Sequence, residues 1–82
     1  IIATAKSAIR NNLRDELENI KVPTCLIWGK DDVITPAFVG EEFHQLIEGS
    51  ELHFINECGH APMMEHPVTF NQLMDGFLAK LP

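Results

Sequence analysis

The amino-acid sequence predicts an α/β fold: part of a three-layer sandwich in the order α-β-α-β-α, with two parallel strands between helical layers. Three observations carry this. Two short runs, residues 24–28 and 51–55, are strand-like and apolar on both faces, the pattern of strands covered on two sides. Three other stretches place apolar residues three, four or seven apart, the period of a helix with one buried face. A helix lies between the two strands, and a strand–helix–strand connection within one sheet is parallel and right-handed in nearly all cases.

The elements follow in order. A helix is expected over 3–19, with Ile2, Ile9, Leu13, Leu17 and Ile20 on one stripe and Arg10, Asn11, Arg14, Asp15, Glu16 and Glu18 on the other faces. Lys21-Val22-Pro23 stops it, because the residue before a proline is pushed towards extended geometry. Thr24-Cys25-Leu26-Ile27-Trp28 is the first strand, ended by Gly29. Lys30 to Thr35 form a loop, with Thr35 as N-cap and Pro36 as first residue of a helix over 36–47. Val39, Phe43, Leu46 and Ile47 give that helix its apolar stripe, and Gly49 is placed to cap its end. Glu51-Leu52-His53-Phe54-Ile55 is the second strand, followed by a turn-rich loop from Asn56 to Pro62. Pro67 opens the last helix, striped by Phe70, Leu73, Met74, Phe77, Leu78 and Leu81 and slightly weakened by Gly76.

Composition narrows the partners. Twelve acidic residues against six basic ones give a net charge of −6, so there is no basic patch to neutralise phosphates. Neither nucleic acid nor an anionic membrane is an expected partner; a small-molecule substrate is. No apolar run approaches the roughly 20 residues of a membrane helix. The absence of a secretory pattern at the start, with Cys25 and Cys58 read as reduced and buried, suggests a cytoplasmic protein. No internal repeat or linker divides residues 1–82, which read as part of one domain. Two strands make a poor sheet, and the chain starts Ile1-Ile2. It is therefore expected to be a piece of a longer protein, and to cover its strand edges as a homo-oligomer if isolated.

Two polar turns follow the two strands. The first, Trp28 to Pro36, offers a carboxylate; the second, Glu57-Cys58-Gly59-His60, offers an imidazole. Parallel strands bring both to the carboxyl edge of the sheet, where open α/β folds bind ligands. An Asp that orients a His is two thirds of a nucleophilic triad. Asp32 and His60 are the catalytic candidates, with Asp31 as the alternative acid. The plainer reading of Asp31 and Asp32 is a solvated turn that favours the next helix N-terminus. His44 reads as a surface helix residue, His53 as a strand side chain facing a helix, and His66 as a cap for the last helix. Met63 and Met64 read as core. Val33, Ile34, Ala61 and Pro62 flank the pair and are placed to touch a substrate. A metal site built from Asp31, Asp32, His60, Glu65 and His66 matches no common zinc spacing, so no metal or other cofactor is expected.

Here a resemblance enters. Val22-Pro23-Thr24, an apolar strand, Gly29, Asp32 and then Pro36 resemble the acid-bearing segment of α/β-hydrolase fold enzymes. Gly59-His60, a short apolar run, Glu65, Pro67, Phe70 and Asn71 resemble that family's histidine segment. The likeness runs from about residue 14 to 82. It implies that Asp32 accepts a hydrogen bond from His60, that His60 shuttles a proton between nucleophile and leaving group, and that Glu65 hydrogen-bonds backbone near His60. It also implies hydrolysis of an ester or related acyl bond through an acyl-enzyme. The family order is nucleophile, acid, histidine, and the chain holds only the last two, so the resemblance implies that residues 1–82 are the C-terminal piece of a longer enzyme. Ser7 and Ser50 are its only serines, and neither lies in a Gly-x-Ser-x-Gly run. These residues alone are therefore expected to be inactive, with Ser, Cys or Asp open as the nucleophile. Ala61 stands where members that cleave carbon–carbon bonds often have Trp, which argues against that substrate class. Two rivals come from other classes. One is a non-catalytic αβ interaction module. The other is a receiver-like domain, which needs a further Asp at a later strand end that the chain lacks.

Overall fold

The computed structural model describes residues 2–3 and 14–82. The chain runs β1 (Ile2–Ala3), α1 (Arg14–Glu18), β2 (Cys25–Gly29), α2 (Ala37–Leu46), β3 (Glu51–Ile55), α3 (Pro62–Glu65) and α4 (Pro67–Ala79). The strands pair in the order β1-β2-β3, all parallel. Cys25 to Gly29 stand opposite Glu51 to Ile55 residue for residue.

Side chains alternate across a strand, and β2 uses both faces. Leu26 and Trp28 join Leu17, Val39, Phe43 and Ile47 in one buried cluster beneath α1 and α2. Cys25 and Ile27 join Ile55, Cys58 and Phe77 in a second, beneath α4. The chain is thus a helix–sheet–helix sandwich, as the doubly apolar strand required. Trp28 anchors the first cluster, its ring set edge-on to Phe43 at 6.0 Å between centroids. Gly40 brings α2 close to it: a Cβ there would sit 2.9 Å from the indole ring.

Several boundaries differ from expectation, each for a local reason. Ala3 belongs to a strand rather than a helix, because β2 offers a second edge and Ile2–Ala3 pairs with Cys25 and Leu26. Of the first expected helix, Arg14–Glu18 is helical; Ile9 and Leu13 lie outside the described residues. Pro36 sits at the N-cap of α2 in extended geometry and no side chain caps the helix. Thr35 is instead drawn into the preceding turn by hydrogen bonds described below. Ile47 is the C-cap, its N–H donating to the Phe43 carbonyl, while Gly49 takes φ +76° in the turn beyond. β3 is only half-buried along most of its length, since it pairs on one side only among the described residues. α4 ends at Ala79, and of its expected stripe only Phe77 is buried; Leu78 and Leu81 are exposed. The turn of helix α3 was not expected. Pro62 starts it, where a missing N–H costs nothing.

Candidate active site

The acid turn is built around Asp32. Its side chain is fully buried. One oxygen, Oδ1, accepts the backbone N–H groups of Ile34 (2.9 Å) and Thr35 (2.8 Å). This is the local bond by which an Asp folds its own turn. The Thr35 carbonyl in turn accepts the indole N–H of buried Trp28 at 2.9 Å. The turn is therefore pinned to the hydrophobic core from below, and the Asp32 carboxylate has a fixed orientation.

The histidine turn rises from β3. Glu57 adopts φ +52°, an unfavourable left-handed conformation for a residue with a side chain. Its carbonyl accepts His66 Nε2–H at 2.9 Å. The Glu65 carboxylate, reaching back from α3, accepts the N–H of Gly59 at 3.0 Å and of Ala61 at 3.1 Å, one on each side of His60. These bonds hold the Glu65 carboxyl below the usual carboxylate range, so it stays ionised where a free glutamate begins to protonate.

The two turns are laced together through backbone. Lys30 N–H donates to the Ile55 carbonyl and Asp31 N–H to the Cys58 carbonyl, each at 2.9 Å. Such contact is possible because Gly29 carries no side chain. A Cβ there would lie 2.0 Å from the Gly59 oxygen and 2.6 Å from the Cys58 oxygen. In this arrangement His60 Nδ1 lies 3.4 Å from Asp32 Oδ2, the oxygen not used in folding the acid turn. The imidazole is about two-fifths exposed while its carboxylate partner is covered. That distance is longer than a tight N–H···O bond.

The other candidates lie apart or serve the scaffold. Asp31 is exposed. His44 Nδ1 sits 2.8 Å from Ser50 Oγ, whose hydroxyl also donates to the His44 carbonyl. The pair ties the end of α2 to β3 and leaves Ser50 buried, not poised as a nucleophile. His53 Nε2 lies 3.1 Å from Glu51 Oε1, which also meets Nζ of Lys80, the residue after α4, at 2.9 Å. His66 is the N-cap residue of α4 but makes no side-chain cap bond, because its ring serves Glu57 instead. Met63 and Met64 are exposed rather than core, since α3 places them on its outer side. Among the described residues, no three His, Cys, Asp or Glu side chains gather in a way that would hold a metal. Sequence reasoning missed the Gly29–Gly59 contact and the Trp28 N–H bond. The only available signals were a glycine at a strand end and an indole needing an acceptor.

A model of the alpha/beta hydrolase fold matches residues 3–67. A 2-hydroxy-6-oxononadienedioate/2-hydroxy-6-oxononatrienedioate hydrolase of Klebsiella pneumoniae is 42% identical over 64 residues, which are 78% of this chain and 22% of that protein. The crystal structure of MGS-MChE2, an alpha/beta hydrolase enzyme from the metagenome of sediments of the Mar Chica lagoon, Morocco, superposes with a TM-score of 0.82 at 50% identity. The match covers 93% of this chain and 35% of that one. A serine hydrolase involved in carbazole degradation, CarC, gives a TM-score of 0.79 at 35% identity over 80% of this chain and 26% of its own. The chain thus spans between about a fifth and a third of the length of these relatives. Sequence, strand order and the two apposed turns agree: the chain belongs to the alpha/beta hydrolase fold family.

Proposed function

We propose that this chain is the C-terminal part of a hydrolase and supplies the acid, Asp32, and the base, His60, of a nucleophile–His–Asp triad. The observation that carries the reading is the division of labour in Asp32. Oδ1 is committed to the Ile34 and Thr35 N–H groups, and Oδ2 faces His60 Nδ1 at 3.4 Å. A buried carboxylate on Nδ1 fixes the tautomer that leaves Nε2 as the acceptor. Nε2 then takes the hydroxyl or thiol proton as the nucleophile bonds to the substrate carbonyl carbon. It returns that proton to the leaving group as the acyl bond breaks. Water repeats the cycle on the acyl-enzyme and releases the acid. The nucleophile and oxyanion donors lie outside these 82 residues, so these residues alone are inactive.

An ester or related acyl substrate with apolar groups fits best. Val33, Ile34 and Met64, all strongly exposed, stand on the two turns or just after them. Ala61, next to His60, leaves room at the site. The hydroxy-oxo dicarboxylate in the name of the Klebsiella relative favours a second reading, an anionic substrate. Lys30 is the one cation that follows either strand at this edge among the described residues, and it lies over the Phe54 ring at 4.8 Å. An anionic substrate would need cations from elsewhere in the enzyme.

The test is turnover of p-nitrophenyl esters of increasing acyl length by the complete enzyme and its His60→Ala variant. Wild-type activity on esters, lowered on the order of a million-fold in the variant, is expected. Full activity without His60 would refute the role of the base. Turnover of a hydroxy-oxo dicarboxylate but no ester would favour the second reading.

A further inference from the structure

We infer that Glu65 is a positioning residue for His60, setting the catalytic geometry of the imidazole rather than merely stabilising the fold. This rests on the reading of His60 as the base. The carboxylate brackets that residue: Oε1 accepts the Gly59 N–H and Oε2 the Ala61 N–H. With the N–H groups of the residues on both sides of His60 held by one carboxylate, the backbone that aims the imidazole is restrained.

The surroundings fit that task. Gly59 leaves its flank bare so that the carboxylate can lie against the backbone; a Cβ there would stand 3.2 and 3.4 Å from the two Glu65 oxygens. Glu65 itself ends the single turn of α3, whose Glu65 and His66 N–H groups donate to the Ala61 and Pro62 carbonyls. The clamp and the loop it holds are therefore one closed unit. On its far side the Cys58–Gly59 backbone rests on Gly29. The turn is thus held by backbone contact with the acid turn on one side and by the Glu65 bonds on the other. Glu65 is exposed, so its contribution to burial is small and its two hydrogen bonds are its main connection to the rest of the chain.

A bidentate acceptor is required. In Glu65→Gln one oxygen still accepts an N–H, while the amide NH2 faces the other N–H and repels it. Glu65→Ala loses both bonds. Outer partners that orient a working group typically matter by 10–100-fold.

The experiment uses the complete enzyme with Glu65→Gln, Glu65→Ala and, as reference, His60→Ala. Active sites are counted by the burst of a covalent acylating probe, and kcat is expressed per titrated site. Counting sites removes any loss through misfolding, which lowers the number of sites and not their rate. Glu65→Gln is expected to lower kcat per site by about 10-fold and Glu65→Ala by about 100-fold, with KM changed less than about three-fold. Both variants turning over at the wild-type rate per site, while His60→Ala is inactive, would overturn the inference and leave the base assignment intact. An active His60→Ala would instead remove the reading on which the inference rests. Glu65→Gln keeps the side chain's size and one acceptor, so it gives a folded protein even if Glu65→Ala does not.

Discussion

Asp32 divides its two oxygens between its own turn and His60, and most of the candidate site follows from that division. Oδ1 folds the acid turn and Oδ2 meets His60. The Gly29, Asp32 and Pro36 spacing made this aspartate legible in the sequence, and the glycine before His60 marked the second turn. Their apposition needed the parallel strand pairing, which the helix between the strands already implied. Other residues were not legible because their roles depend on long-range contact. Trp28 looked like a core aromatic, yet its N–H also holds the acid turn through the Thr35 carbonyl. Met63 and Met64 looked like core until α3 turned them outward. Glu57 shows the cost of the local geometry. A left-handed conformation is unfavourable by roughly 1–2 kcal/mol for a residue with a Cβ, and glycine relieves that while adding some chain entropy. Glu57→Gly is therefore expected to stabilise the protein by about 0.5 kcal/mol, read as a small rise in the denaturant midpoint. A clear fall would contradict the strain argument.

At the scale of elements, the site is a product of how closely β2 and β3 end beside each other. Parallel pairing places both carboxyl ends at one edge, and a glycine at the end of β2 lets the two exit loops touch. Strand β3 was placed residue for residue from its composition, and β2 within one residue. The helix ends were less legible, since they are decided by competition for backbone groups. Thr35 could have capped α2, but Asp32 and Trp28 claim its N–H and its carbonyl. The glycine contact makes a sharp prediction. In Gly29→Ala the new methyl meets a backbone oxygen, not a flexible side chain, so the His60 turn must move. Overpacking of this kind costs about 3 kcal/mol, and the displaced imidazole should lower kcat in the complete enzyme. An alanine variant of wild-type stability and rate would show that the loops can separate without consequence. The turn of α3 serves the same edge, because it carries Glu65 back to the His60 backbone.

At the scale of the whole molecule, the described residues form one helix–sheet–helix unit with two buried clusters on opposite faces of three parallel strands. β3 pairs on one side only among them. We propose that this chain, when produced alone, self-associates and covers that edge. Light scattering should then give a mass above the 9.2 kDa of one chain, rising with concentration; a monomer at all concentrations would contradict it. No described helix is long and apolar enough to cross a membrane. Under the proposed function, Asp32 and His60 act as one unit at the sheet's carboxyl edge. The most direct measurement is therefore a double-mutant cycle of Asp32→Asn and His60→Ala on kcat/KM in the complete enzyme. Residues that act as a unit are strongly non-additive. Asp32→Asn is expected to cost on the order of 10,000-fold and His60→Ala on the order of a million-fold, and the double variant no more than the worse of the two. Losses that multiply, or an Asp32→Asn enzyme as active as wild type, would contradict the pairing of these two residues in catalysis.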